Sequence, residues 1–106
     1  MEAIPRELLI CQTEDGKEPF TDWFFDKLDA VSRARVRAKL DRLEDGNFSD
    51  VKAIGDGVSE LKMDFGPGYR IYFGQMGNEV HLIHGGIKDT QPADIAYAKA
   101  FWRKHE

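Results

Sequence analysis

The sequence predicts an α+β fold in the order β-α-α-β-β-β-α, an antiparallel sheet with an αα-hairpin on one face and a C-terminal helix. Three observations predict it. Between residues 21 and 46 apolar side chains recur at helical spacing. Between residues 58 and 87 the period changes to two and glycine-rich reversals interrupt it. After Gln91 helical spacing returns. A chain of 106 residues fits one domain, taken as residues 1–106, and is long enough to bury a core without disulfides or metal.

Arg6–Cys11 is a short apolar run that reads as an edge or central strand. Glu14-Asp15-Gly16-Lys17 is a turn signal. Pro19 precedes a helix that starts near Thr21 or Asp22, either of which could cap it, with Phe24 and Leu28 on one face. A second helix follows Asp29 almost without a loop and stops at Gly46. Its apolar stripe is Val36, Leu40 and Leu43. Asn47–Gly57 reads as irregular.

In Val58–Phe65, Leu61, Met63 and Phe65 alternate with Glu60, Lys62 and Asp64. Gly66-Pro67-Gly68 reverses the chain. In Tyr69–Phe73, Tyr69, Ile71 and Phe73 alternate with Arg70 and Tyr72. Gly77-Asn78 marks a second hairpin turn and Val80–Ile87 is the third strand of the meander. Thr90 is in capping position for the last helix, with Pro92 in its first turn and Ile95, Ala98, Phe101 and Trp102 on its apolar side.

Composition excludes several classes. With 42% hydrophobic and 32% charged residues the chain is globular rather than disordered. Residues 1–30 carry a net −5 and residues 31–106 a net +1, giving −4 in all. That average argues against nucleic-acid binding by bulk charge but leaves room for a local cationic site. No secretory or membrane-spanning pattern is visible, which predicts a cytoplasmic protein. The single cysteine, Cys11, is expected to make neither an internal disulfide nor a Cys-based zinc site and reads as a small buried hydrophobe.

A reversal centred on Pro67 pairs Phe65 with Tyr69, Met63 with Ile71 and Leu61 with Phe73 on the core face. Asp64 then faces Arg70, Lys62 faces Tyr72, and Lys62 and Arg70 are diagonal neighbours on the other face. This face reads either as a solvated polar surface with an Asp64–Arg70 pair, or as a site where Tyr72 stacks on a base while the cations hold phosphates. Strict alternation would turn Lys88 into the core. A bulge at Gly85-Gly86 would bring it beside Arg70.

The run GDGVSELKMDFGPGYRIYFGQ (Gly55–Gln75), followed by HGGIKDTQ (His84–Gln91) and a helical tail, resembles the RelE/ParE toxin superfamily. The branch it most resembles is the phage Gp49-like, HigB-type addiction module killer proteins. The resemblance implies the toxin of a type II toxin–antitoxin system, held by a cognate helix-turn-helix antitoxin. It further implies ribosome-dependent mRNA cleavage without metal or other cofactor, by attack of a ribose 2′-OH on the adjacent phosphate. Cations aimed at the developing phosphorane charge are then the main catalytic contribution. Carried onto this chain, Lys62, Arg70 and Lys88 are the catalytic cations, Tyr72 stacks on or orients a base, and Glu60 is a base or an ion-pair partner of Lys62. The pattern departs at Lys62, where this branch usually has an arginine and its planar clamp, and at Ile87 and Asp89 beside Lys88. A ParE-like DNA gyrase inhibitor and a degenerate member that only binds antitoxin are the competing readings.

The helix carrying Arg33, Arg35, Arg37, Lys39 and Arg42 reads as solvated, with Arg37 as a candidate RNA or antitoxin contact in the alternative. His81 and His84 differ in strand parity and His105 lies in the tail, so no metal site is expected, while His84 is a possible acid–base group. Trp23, Phe101 and Trp102 read as core or partner-interface residues.

Overall fold

In the computed structural model, which describes residues 4–105, five strands form one sheet in the order β1-β5-β4-β3-β2. The elements are β1 (Glu7–Ile10), α1 (Pro19–Lys27), α2 (Ala30–Glu44), β2 (Val51–Gly55), β3 (Val58–Lys62), β4 (Arg70–Met76), β5 (Glu79–Gly86), a single 3-10 turn (Lys88–Thr90) and α3 (Gln91–His105). The α+β class, the helix pair and the C-terminal helix are as the sequence predicts. The strands β2 to β5 form an antiparallel meander, and β1 adds to β5 in parallel.

The segment expected to be irregular contains β2. Asp56 and Gly57, both at positive φ, make the two-residue turn that joins it to β3. Such a turn needs two left-handed residues, which Asp-Gly supplies at little cost. The first helix begins at Pro19, earlier than Thr21, because proline occupies a first-turn position where its missing N–H is not needed. Thr21 instead donates its hydroxyl to Glu18. Asp29 caps α2 by accepting from the Ser32 N–H, and Gly46 closes it at φ 91°.

The helix pair packs on one face of the sheet. Phe20, Phe24, Leu28, Val36 and Leu43 meet Leu61, Met63, Ile71, Phe73, Val80 and Leu82 there. The other face, expected to be polar and open, is covered by α3. Trp102 and Ala98 pack on Cys11, Val58, Tyr72 and Ile83 in a second core. Trp102 lies against β4 at Gly74, where any Cβ would collide with its indole. The central strand β4 is therefore buried on both faces.

The β3–β4 register differs from the expected one by two residues. Lys62 pairs with Arg70, Leu61 with Ile71 and Glu60 with Tyr72. A shift of two keeps every side chain on its expected face but makes Lys62 and Arg70 direct neighbours. The ladder runs unbroken through Gly85 and Gly86, so the bulge is not there. It lies at Ile83: Tyr72 pairs with His84 and Phe73 with Leu82, leaving one extra residue between them.

Candidate functional site: a cationic end of the sheet

The extra residue at Ile83 reverses the side-chain parity of the rest of β5. His84 and Gly86 come onto the face of Tyr72 and Arg70, and the chain delivers Lys88 to the same end of the sheet. The Lys88 N–H donates to the Pro67 carbonyl at 3.3 Å, tying the 3-10 turn to the β3–β4 reversal. The meeting point is Gly68. A Cβ added there would sit 3.1 Å from Arg70 Nη1 and 3.2 Å from Lys88 Cβ. Lys62, opposite Arg70, completes the row.

The three cations are not equivalent. Lys62 and Lys88 are exposed, and Lys62 has the Asp64 carboxylate at 3.9 Å, with Asp50 also within reach of its charge. Arg70 is 6% exposed and lies 3.7 Å from the Glu60 carboxylate through its Nε. Its Nη1 donates to the Gly68 carbonyl at 2.8 Å, while Gln91 donates to Glu60 at 2.9 Å. Glu60 is thus the partner of Arg70, not of Lys62, and Asp64 that of Lys62, not of Arg70. The two-residue register difference is the reason. Arg70 is held by Glu60 and the Gly68 carbonyl, and Lys62 and Lys88 are the exposed cations beside it.

Tyr72 cannot stack on a base in this arrangement. It is fully buried, with its ring 5.2 Å from that of His84 and α3 packed over it. Burial and the Glu60 carboxylate push its phenol well above the usual tyrosine range. His84 is also turned away from solvent. Its Nε2–H donates to the Asp94 carbonyl at 2.9 Å, and burial holds its pKa below the ordinary imidazole value. The partly exposed aromatic side chain near Lys88 is instead Trp23, edge to face at 6.0 Å with the buried Tyr69, in a groove of about 460 Å³ that also includes Lys27, Pro67, Ile87 and Thr90. Trp23 lies flat on Gly85, which has no Cβ to block it. Arg37 lies elsewhere, on α2 on the opposite side of the sheet, exposed and 5.8 Å from the Phe24 ring.

A second cluster lies at the other end of α3. Cys11, His81 and His105 bring their potential ligand atoms within 4.8 Å of one another. The parallel β1–β5 pairing places Cys11 next to β5, and the last turn of α3 places His105 on His81.

The family model for phage-derived Gp49-like proteins (DUF891) matches residues 23–101. The chain belongs to this family. The match runs from within α1 through α2 and the meander to Phe101 in α3, so it includes every cation of the site. The Gp49-like family is associated with the toxins of toxin–antitoxin modules. An uncharacterized protein of Haemophilus influenzae is 42% identical to this Gp49-like chain over 81 residues, 76% of this chain and 82% of the relative. No solved structure matches.

Proposed function

We propose that this Gp49-like protein is the toxin of a type II toxin–antitoxin pair, of RelE/HigB type, and cleaves mRNA on the ribosome. The observation that carries the reading is the convergence of Lys62, Arg70 and Lys88 at one end of the sheet, two of them exposed around a fixed guanidinium. Attack of a 2′-OH on the adjacent phosphodiester forms a 2′,3′-cyclic phosphate and breaks the P–O5′ bond. The hydroxyl proton moves by way of the site to the departing 5′-oxygen, and negative charge gathers on the phosphorane oxygens as the attack proceeds. Two ammonium groups that close on a phosphate, with Arg70 behind them, stabilise that charge where it develops. Trp23 in its groove, rather than the buried Tyr72, is the aromatic side chain placed to meet a neighbouring base. Arg37 on α2 belongs to a separate basic surface suited to ribosomal RNA or to the helix-turn-helix antitoxin.

The test is expression with and without the neighbouring antitoxin, with mRNA ends mapped on ribosomes. Cleavage that disappears in Lys88→Ala is the expected result. Growth arrest with intact mRNA would overturn the nuclease reading in favour of gyrase inhibition. Absence of arrest would leave a family member that only binds its antitoxin.

A further inference from the structure

We propose that Cys11, His81 and His105 form a binding site for a zinc-class metal ion that pins the end of α3 to the sheet. Three elements distant in sequence supply the donors: the residue following β1, the middle of β5, and the last residue of α3. A thiolate sulfur and two imidazole nitrogens form a donor set that zinc takes readily. The nitrogens His81 Nδ1 and His105 Nε2 are 3.2 Å apart. At zinc–nitrogen bonds of about 2.0–2.1 Å, the edge of a tetrahedron is about 3.3 Å. The two rings are therefore already spaced as neighbouring ligands.

The surroundings match a metal site as well. His81 Nε2 lies 3.0 Å from Glu79 Oε1. That contact fixes the proton on Nε2 and leaves the Nδ1 lone pair pointing at His105. A carboxylate on the far nitrogen is the usual orienting partner of a metal-bound histidine. The Trp102 indole supports both rings, stacked on His105 at 5.1 Å and edge-on to His81 at 5.6 Å. A groove of about 720 Å³ lined by Thr13, Glu14, Asp15 and His105 reaches the cluster at His105, while Cys11 and His81 are buried. Binding releases the thiol proton of Cys11 and requires the His105 tautomer protonated at Nδ1.

The site is separate from the cationic one. The 15 residues of α3 put about 20 Å at 1.5 Å per residue between His105 and Gln91, which touches the Glu60 of the cationic site. Its consequence is structural: the ion would close the parallel β1–β5 seam and hold α3 over Tyr72 and the Glu60–Arg70 pair.

The test uses the full-length protein stripped of metal and titrated with Zn²⁺ and with Co²⁺. The expected result is one ion per chain and a raised Tm. Cobalt should give a sulfur-to-metal charge-transfer band and the intense visible bands of a tetrahedral ion. Cys11→Ser should remove the charge-transfer band, and His105→Ala should weaken binding at least tenfold, while His84→Gln binds as wild type does. His105 is at a helix end, so its variant keeps the test open if Cys11→Ser does not fold. Failure of the wild-type chain to bind either ion, or unchanged binding in His105→Ala, overturns the proposal. None of these readouts depends on ribonuclease activity.

Discussion

Arg70→Ala should unfold this protein more readily than any other single change at the cationic site. The guanidinium is 6% exposed and its partner Glu60 4%. Truncation would leave the Glu60 carboxylate inside the sheet–α3 interface with Gln91 as its remaining hydrogen-bond donor. Breaking one side of a buried ion pair costs about 3–5 kcal/mol, because the surviving charge stays desolvated. For a domain of about this size each kcal/mol moves Tm by roughly 4–8 °C, so the midpoint should fall by at least about 12 °C. Urea unfolding followed by circular dichroism measures the loss directly. Removing the orphaned charge as well, in Arg70→Met with Glu60→Gln, should recover more than half of it. A single variant within about 1 kcal/mol of wild type, with no gain in the double variant, would refute a buried pair. Activity measured in Arg70→Ala therefore has to be normalised to folded protein before any loss is assigned to chemistry.

Lys88→Ala and Lys62→Ala should behave in the opposite way, since both side chains are exposed. Each should lower mRNA cleavage about a hundredfold, the scale for one charge-stabilising group, with Tm unchanged within about 2 °C. Gly86→Ala should cost about 1 kcal/mol in urea unfolding, because its methyl group displaces the end of the Asp94 side chain and with it the hydrogen bond from Thr90. Acid should weaken the fold through His84. Burial depresses its native pKa below the unfolded value near 6.5, so the unfolded chain takes up the proton first and stability falls as the pH drops below about 6.5. A Tm profile from pH 7 to 5 should fall more steeply in wild type than in His84→Gln, and parallel profiles would count against it.

Local signals carry much of this fold. The period of two in Val58–Phe73 and the Gly66-Pro67-Gly68 reversal suffice to place Lys62 and Arg70 on one face, and the register difference leaves that placement intact because it is an even number. Asp56-Gly57 is an equally good hairpin signal, and it is the local pointer to β2 inside a segment that otherwise reads as irregular. What stays hidden depends on contacts between distant segments. Nothing local to Tyr72 or Glu60 says that α3 covers them, since Tyr72, Glu60 and Arg70 alternate with core residues as an exposed strand face would. Paired glycines are a common sign of a bulge, but Gly85 and Gly86 have other uses, one under Trp23 and the other against Asp94. The Cys11–His81–His105 cluster is hidden for a similar reason. It exists only once β1 has joined β5 in parallel and α3 has folded back.

That parallel pairing also sets an order of assembly. Glu7 finds its partner in Glu79, and Cys11 donates its N–H to the Leu82 carbonyl. The helix pair and the β2–β3 hairpin close within short stretches of chain, whereas β1 waits for a strand that is synthesised about seventy residues later. Non-local pairings of this kind form slowly. On a translating ribosome the first strand is exposed without a partner until β5 leaves the exit tunnel, and the layer over Arg70 arrives last of all, with the fifteen residues of α3. The segments that carry the cationic row are therefore synthesised before the helix that covers them.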